Sequence, residues 1–470
     1  MGDLVKDLVF AVLLEGGDRE AMSYRCNLES AGHDPKTGLK KQPYLRTGTW
    51  GEFFPSNPMS PVDRRRKRRN LMRFPSRNWP AVVLTALLAA AGAAAKSHAP
   101  TQKTDLDAFG ASFLEENHLA GLSICLIKNN AVVWQRAFGW ANIEKKIPAA
   151  PDTLFMLASV SKTVTGAALL HLLDQGRFKL DDDISTGLPF KIRNPHFPDV
   201  PITFRMLLNH SSSLLDDHRR IDALYVSGDS VEPPLEELVK RFFVPGGMYY
   251  EAKNFAPAKP GGRWAYSNMN YVLISYLVEH WAGMSFPAYC RENIFKPLKM
   301  KETSWFLAGI DPRRLAFNYL KDSANSKILK RVEHYGWPGY ADGCLRTSVS
   351  EFANFLRMLL NRGEFEGTRV LRPETVAAAF SPQGLEIGPE GKALAPALTL
   401  LDMGLTWHIY EISGRRCLVH TGGGTGGISA FTAIDPSSKS GFVAAITGPA
   451  SLKFLTLITV MVEHMQDGVR

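Results

Sequence analysis

The sequence Ser159-Val160-Ser161-Lys162 opens an apolar helix and contributes most to the interpretation of this chain. Gly176 supplies a typical C-terminal stop for that helix. Three residues make nearly one helical turn, so the Ser159 and Lys162 side chains are predicted to project onto the same face. An amine beside a hydroxyl, shielded from bulk water, can lose its proton and act on that hydroxyl. A lone Ser-x-x-Lys arises often by chance, and the alternative is a capping serine before an ordinary helix.

A second candidate motif, Tyr266-Ser267-Asn268, opens another apolar helix. Beside a cationic lysine, a phenol can be drawn toward phenolate and accept a proton. The neighbouring carboxamide can donate a hydrogen bond to a substrate carbonyl. Taken alone, the pair could also be a tyrosine and an asparagine in an ordinary helix-start turn.

A third candidate motif, His420-Thr421-Gly422, ends a predicted strand and is followed by Gly423. A glycine at this point would let substrate lie close against the strand. A backbone N–H group just beyond it could face a developing oxyanion. A lone His-Thr-Gly is again a common sequence, so the motif gains meaning only from the other two.

In this order and setting, the three motifs resemble those of the serine β-lactamase and penicillin-binding superfamily. The Tyr-x-Asn form points to the branch that contains class C β-lactamases, DD-peptidases and related esterases. Segments 152–155, 207–214 and 297–300 are similar to that branch as well. The resemblance extends from about residue 103 to 465, which we take as one serine hydrolase domain with a β-lactamase/transpeptidase-like fold.

The pattern of apolar residues independently indicates a mixed α and β domain. A helix is expected over 103–118, a final helix over 452–465, and a mostly helical and loop-rich middle over about 180–400. The predicted strands are 122–127, 132–138, 405–410, 416–420, 428–434 and 441–447, with Asn129-Asn130 as the turn of the first hairpin. Strands at both ends with helices between them predict one antiparallel sheet, flanked by helices, with an inserted helical subdomain at its edge.

The resemblance implies a set of catalytic roles. Ser159 would be the nucleophile that forms an acyl-enzyme. Lys162 and Tyr266 would share proton transfer, first from Ser159, then to the leaving group and from the deacylating water. Asn268 would orient the substrate acyl group or amide. No metal or organic cofactor is implied.

The resemblance also implies a substrate-binding edge formed by His420, Thr421 and Gly422. The backbone N–H groups of Ser159 and Gly423 would form the oxyanion hole. His420 stands where true β-lactamases usually carry lysine, and it would supply positive potential or a hydrogen bond near Tyr266 and a substrate carboxylate. This departure weakens the expectation of efficient antibiotic hydrolysis.

The segment around residue 210 contains further departures and candidates. Ser213 replaces the usual glycine of a His-Thr-Ser-Gly turn, which is expected to alter that turn. His210 is interpreted as structural. Asp216, Asp217 and His218 are interpreted as a solvated loop in preference to a metal site.

Charge and cysteine content restrict the remaining function classes. Residues 1–95 carry 15 Lys and Arg against 9 Asp and Glu, whereas the rest of the chain carries 40 against 37. The basic excess is thus concentrated at the N-terminus, and no nucleic-acid partner is inferred. The five cysteines are far apart, with no spacing typical of a metal site. The expected partner is a small-molecule or short peptide substrate.

The N-terminal hundred residues contain a candidate signal peptide. Residues 80–95 form an uncharged apolar run that follows Arg73 and Arg77 and ends in a small-residue cleavage pattern. We expect a signal peptide over 72–95, preceded over 1–71 by a disordered extension or a mis-assigned start. The mature protein would be exported, periplasmic or secreted, without a stable membrane span. The alternative is an authentic N-terminal region with an internal membrane anchor.

Three functions remain open at this point. The favoured function is an exported serine hydrolase that cleaves an amide, peptide or ester in the manner of a DD-peptidase or esterase. The second is a class C-type β-lactamase. The third is a non-catalytic penicillin-binding or sensor protein that keeps the fold without useful turnover.

Overall fold

The structure is a computed structural model that describes residues 104–229, 232–323, 325–388, 398–424, 426–448 and 454–466. The predicted signal peptide and the segment before it lie outside the described residues. Within those residues, no helix combines the length and the apolar character that crossing a membrane requires.

Runs of strands and runs of helices follow one another along the described chain. The helices are α1 Leu106–Glu116, α2 Ser161–Asp174, α3 Phe204–Leu208, α4 His218–Asp222, α5 Leu235–Phe243, α6 Asn268–Ala282, α7 Phe286–Cys290, α8 Val349–Leu360, α9 Pro373–Phe380 and α10 Phe454–Gln466. The strands are β1 Gly121–Lys128, β2 Ala131–Asn142, β3 Ile147–Pro148, β4 Phe155–Met156, β5 Val226–Ser227, β6 Asn318–Lys321, β7 Leu329–Val332, β8 Tyr335–Gly336, β9 Arg346–Thr347, β10 Glu364–Phe365, β11 Thr368–Arg369, β12 Leu398–Met403, β13 His408–Ile412, β14 Arg415–Gly424, β15 Ile428–Asp435 and β16 Ser440–Thr447. Short 3₁₀ turns occur at Ala158–Val160, Ala252–Asn254 and Tyr340–Asp342, and a π turn at Arg291–Phe295.

An eight-stranded antiparallel sheet forms the centre of the fold, in the order β12-β13-β14-β15-β16-β1-β2-β3. The N-terminal hairpin β1–β2 pairs with the C-terminal strand β16, with Ile124 opposite Ala444. Asn129 and Asn130 turn the hairpin with φ of +49° and +61°, a left-handed conformation that asparagine tolerates. The predicted antiparallel sheet built from both ends of the chain is therefore confirmed.

Helices cover both faces of this sheet. On one face α1 and α10 pack against the sheet through a buried cluster that includes Phe113, Ile124 and Phe454. On the other face a larger buried cluster joins the sheet to α2, α6 and α8, and Val164 and Phe352 belong to it. Full burial of one such side chain stabilises the fold by roughly 1.5–3 kcal/mol. This second layer places the first turn of α2 against β14, where the site forms.

The sheet differs from the sequence prediction at one edge. Strand β12 occupies the end of a segment that was predicted to be helix and loop, and β13 begins at His408 instead of residue 405. Thr406 has a φ of +81°, and its N–H donates to the carbonyl of Leu208 at 2.8 Å. A residue with that backbone angle cannot continue a strand, so the apolar run 405–407 forms a turn.

Candidate active site

Ser159 lies in the 3₁₀ turn that leads directly into α2. The preceding residue, Ala158, has a left-handed φ of +45°, which is uncommon for a non-glycine residue and is often found at functional turns. Lys162, on the first turn of α2, donates from Nζ to Ser159 Oγ at 3.0 Å. The structure thus brings together the two residues that the Ser-x-x-Lys spacing singled out.

The ammonium group of Lys162 is enclosed by oxygen atoms. Its Nζ also donates to Asn268 Oδ1 at 2.8 Å and to the backbone carbonyl of Asp342 at 2.7 Å. The side chain is fully buried, and this desolvation opposes its charge. The pKa of Lys162 is nevertheless raised, because Tyr266, Asp342 and Asp216 favour the charged form. Lys162 is therefore a cation in the resting site, whereas the sequence suggested that burial would help it to lose its proton.

Asp342 is a member of the site that no sequence motif predicts. Its Oδ2 lies 3.6 Å from Lys162 Nζ, and its Oδ1 accepts a hydrogen bond from Trp337 Nε1 at 2.9 Å. Burial raises the pKa of Asp342 to about 6, although Lys162 and the hydrogen bond from Trp337 act in the opposite direction. No motif in the sequence marks this aspartate, because 180 residues separate it from Lys162.

Tyr266 lies two residues before the start of α6, and its ring is close to Lys162. Lys162 Nζ lies 5.3 Å from the centre of the phenol ring, within the range of a cation–π contact. The ring lies near two imidazoles in roughly parallel orientation, with centroid distances of 4.4 Å to His210 and 6.3 Å to His408. Burial lowers the pKa of both histidines, to about 4 in His408. Two neutral rings therefore hold Tyr266 in place.

His210 fits its interpretation as a structural residue. Its Nδ1 accepts a hydrogen bond from the backbone N–H of Ser267 at 3.2 Å and lies 3.1 Å from Asn270 Nδ2. Ser213, three residues after His210 in the same turn, has a φ of +67°. It thus adopts the left-handed conformation that glycine favours, and its Oγ accepts a hydrogen bond from Asn194 at 2.9 Å. The substitution of serine for glycine leaves this left-handed backbone angle in place.

The interpretation of residues 216–218 as a solvated loop is wrong for Asp216. Its carboxylate accepts hydrogen bonds from Ser267 Oγ at 2.7 Å, from the Asn268 backbone and side chain at 2.9 Å each, and from Met269 N at 3.1 Å. A carboxylate at this position satisfies free N–H groups and complements the helix dipole. Asp216 therefore fixes the segment that carries Tyr266 and Asn268. Among the described residues, no cluster suited to a metal ion occurs.

The third motif lies within β14, beside the nucleophile turn, and the strand continues beyond it to Gly424 instead of ending at the motif. A Cβ atom on Gly422 would lie 2.3 Å from the carbonyl oxygen of Leu157 and 3.0 Å from the backbone nitrogen of Ser159. The close approach of the strand to this turn therefore requires glycine. The sequence predicts a different reason for the glycine, which is close contact with substrate. Gly423, the next residue, is exposed and borders the space in front of Ser159.

His420 is buried in the middle of the same strand. Desolvation lowers its pKa well below the usual value, and the neighbouring His408 and Lys162 add to this effect. The imidazole is therefore neutral. Its Nδ1 lies 2.9 Å from the carbonyl of Thr421, so Nδ1 carries the proton and Nε2 is an acceptor, for which the described residues supply no partner. Of the two roles expected for His420, a hydrogen bond fits this state and positive potential does not.

Two cavities meet at Ser159. The first has a volume of about 510 Å³ and the second of about 270 Å³. The first is lined by Ala158, Ser159, Asp222, Tyr225, Asn268, Tyr335, Trp337, Asp342, Gly343, Cys344, Gly423 and Gly426. The second is lined by Ser159, Trp264, Tyr266, His408, Tyr410, Thr421 and Gly423. Among these described lining residues no lysine or arginine occurs, so neither cavity is lined by a cationic side chain that could pair with a substrate carboxylate.

Comparison with known proteins adds to this geometry. The family profile described as Beta-lactamase matches residues 106–459. The chain is 26% identical over 248 residues to Protein flp of Staphylococcus aureus strain MW2, covering 53% of this chain and 47% of that protein. It is also 26% identical over 326 residues to Penicillin-binding protein 4* of Bacillus subtilis strain 168, covering 67% of this chain and 65% of that protein. The chain spans about half the length of the first of these relatives.

A solved structure shows the same architecture. The octameric penicillin-binding protein homologue from Pyrococcus abyssi superposes with a TM-score of 0.63 and 25% sequence identity. The superposition covers 76% of this chain and 77% of that one. The α+β fold with its large antiparallel sheet, which was predicted from the motifs and the strand pattern, is confirmed.

Proposed function

The chain belongs to the beta-lactamase family, and from that premise we propose that it is a serine hydrolase that forms an acyl-enzyme on Ser159 and cleaves an amide, peptide or ester. The proposal rests mainly on two hydrogen bonds that Lys162 Nζ donates, to Ser159 Oγ at 3.0 Å and to Asn268 Oδ1 at 2.8 Å. These three side chains come from the 3₁₀ turn, from α2 and from α6. They meet near Ser159, which lines both cavities.

Acylation requires that the Ser159 hydroxyl lose its proton as its oxygen attacks the acyl carbon. Because Lys162 is already charged and donates to Ser159 Oγ, the oxygen of Tyr266 is the proposed proton acceptor. In this step Tyr266 begins as a phenolate, whose negative charge the Lys162 ammonium balances, and it becomes a neutral phenol when it takes the Ser159 proton. The ammonium also lowers the energy of the developing alkoxide. The two residues act as one proton-sharing unit, as the family resemblance implied.

Breakdown of the tetrahedral intermediate returns this proton to the leaving group. Tyr266 lines the smaller cavity, so the leaving amine or alcohol is proposed to depart through that side. Water then enters, gives a proton to the same unit and attacks the ester carbonyl of the acyl-enzyme, which regenerates the Ser159 hydroxyl. The backbone N–H groups of Ser159 and Gly423 are the proposed oxyanion hole, and Thr421 is proposed to contact substrate from β14.

A β-lactamase is the second candidate and is less favoured. A β-lactam substrate presents a carboxylate, and the buried neutral His420 cannot supply a positive charge to it. A non-catalytic binding protein is disfavoured because the hydrogen bonds from Lys162 to Ser159 and Asn268 are intact. Both alternatives make definite predictions: rapid nitrocefin turnover for the first, and labelling without turnover for the second.

A substrate panel tests the proposal. Purified protein is assayed with p-nitrophenyl esters, D-amino-acid peptides and amides, and nitrocefin, with the Ser159→Ala variant as the control. We expect ester or amide turnover that depends on Ser159 and exceeds nitrocefin turnover. Equal activity of the variant on every substrate would contradict the assignment.

We further propose that the mature protein is exported after removal of a signal peptide. The support is the uncharged apolar run 80–95 with Arg73 and Arg77 ahead of it. N-terminal sequencing of protein recovered from the source cell tests this. A start near Lys96 is expected, whereas an intact chain that begins at Met1 in the cytosolic fraction would contradict it.

A further inference from the structure

The larger cavity beside Ser159 has aromatic walls. Tyr225 and Tyr335 meet edge to face with ring centroids 5.4 Å apart, and Tyr225 also stacks on Trp337 at 5.6 Å. Tyr225 is 40% exposed and lines the cavity. Aromatic faces attract cations through their quadrupole, by roughly 0.5–2 kcal/mol for each well-placed contact.

Carboxylates dominate the charge around the same cavity. Asp222 and Asp342 line it, and Asp216 is hydrogen-bonded to Asn268, another lining residue. Two buried cations offset part of this charge. Lys162 pairs with Asp342, and Arg346, which donates to the backbone carbonyl of the lining residue Tyr335, pairs with Asp229. Asp222 is exposed at the end of α4, and no described residue forms a hydrogen bond or ion pair with its carboxylate. A partly enclosed cavity with this excess of negative charge concentrates cations.

The position of the cavity indicates which part of the substrate it receives. Tyr266, the proposed proton donor to the leaving group, lines the other cavity. Asn268, which faces the Lys162 ammonium, lines this one. The leaving group and the acyl group must lie on opposite sides of the attacked carbon. The larger cavity is therefore the side that holds the acyl group.

We propose that this cavity selects substrates whose acyl group carries a positively charged nitrogen. This nitrogen packs against the aromatic rings of Tyr225 and Tyr335 and pairs with the carboxylate of Asp222. The inference rests on the proposed function of Ser159, since it assigns the acyl side of the same reaction. It also explains the absence of lysine and arginine among the described lining residues, because a cationic substrate would be repelled by them.

Binding is tested separately from turnover. The Ser159→Ala variant is titrated with choline and with its uncharged isostere 3,3-dimethylbutan-1-ol, followed by ligand-observed NMR. We expect choline to bind at least about tenfold more tightly, and the difference to shrink between low and high salt. Equal affinities, or tighter binding of the neutral alcohol, would overturn the inference even if the enzyme proves inactive.

Turnover is tested with matched esters. The p-nitrophenyl esters of 4-(trimethylammonio)butanoate and of 5,5-dimethylhexanoate have the same shape and differ in charge. We expect kcat/KM to favour the cationic ester by roughly tenfold. Asp222→Asn should reduce this ratio several-fold and Tyr225→Leu should reduce it as well. Glu411→Gln, which removes an exposed carboxylate that lines neither cavity, should leave the ratio unchanged.

The outcomes separate the two proposals. Failure of every ester to react at Ser159 would count against the proposed function, while the choline titration would still decide the binding inference. Hydrolysis of both esters at equal rates would leave the serine hydrolase intact and overturn the cation preference. A preference that survives both Asp222→Asn and Tyr225→Leu would overturn the assignment of the cation to this cavity.

Discussion

The carboxylate of Asp342 lies 3.6 Å from the ammonium of Lys162, and both side chains are closed off from solvent. A buried ammonium without a counter-charge is costly, and loss of one partner from a buried pair destabilises by about 3–5 kcal/mol. Asp342 therefore keeps Lys162 charged and in place beneath Ser159. It acts through the lysine, as a positioning residue.

The pH profile tests this role. Because burial raises the pKa of Asp342 to about 6, its carboxylate is ionised above that pH and protonated below it. We expect kcat/KM to fall as the pH drops through about 6, where Lys162 loses its counter-charge. Asp342→Asn should lower kcat/KM roughly tenfold at pH 8 and abolish this acid limb. An acid limb with the same midpoint in the asparagine variant would exclude Asp342 as its origin.

The shared proton relay predicts strong non-additivity. Lys162→Met and Tyr266→Phe should each slow acylation by about three orders of magnitude, and the double variant should be little slower than either single one. Single-turnover acylation rates are measured for the wild type, for each single variant and for the double variant, which together form a double-mutant cycle. Fully additive losses would show that the two residues act independently.

The close approach of β14 to the nucleophile turn predicts a sharp effect at Gly422. Gly422→Ala would place a methyl group 2.3 Å from the Leu157 carbonyl oxygen and 3.0 Å from Ser159 N. The turn must shift, and we expect kcat to fall at least about 100-fold. Gly262→Ala is the matched control, because its methyl group would come no closer than 3.7 Å to another atom. Comparable activity of the two variants would contradict the steric explanation.

The hydrogen bonds of Asp216 predict a combined loss of stability and activity. Asp216→Ala frees N–H groups at the start of α6, which should cost about 1–2 kcal/mol of unfolding free energy and lower kcat by more than tenfold. Asp105 caps α1 in a similar way, with its carboxylate accepting from Asp107 and Ala108. Asp105→Ala should destabilise comparably while kcat is retained. Denaturant unfolding and initial rates measured on both variants separate the two effects.

Local sequence signals predicted much of the fold. The hairpin at Asn129-Asn130, the helix after Ser159 and the strands before and after His420 all follow from short-range periodicity and turn chemistry. Strand β12 and the turn at Thr406 were not predicted, because pairing at a sheet edge and a left-handed backbone angle depend on tertiary contacts.

The same distinction applies to the candidate site. Ser159 and Lys162 are three residues apart, so their contact follows from helix geometry. Asp342, Asp216 and His408 reach the site through packing between elements that are distant in the chain. The sequence around such a polar residue contains no motif that would mark it as part of a site. For that reason the two neighbouring acidic residues 216 and 217 indicate a solvated loop when only the local sequence is considered.

Covalent labelling tests the central claim, that Ser159 is the nucleophile, most directly. The protein is treated with a fluorophosphonate probe, and the adduct is located by intact-mass and peptide mass spectrometry. A single adduct on the peptide that contains Ser159 is expected, with none on Ser159→Ala, whose unfolding transition should be unchanged within about 1 kcal/mol. Labelling of the alanine variant at the wild-type rate, or an adduct on another residue, would contradict the account.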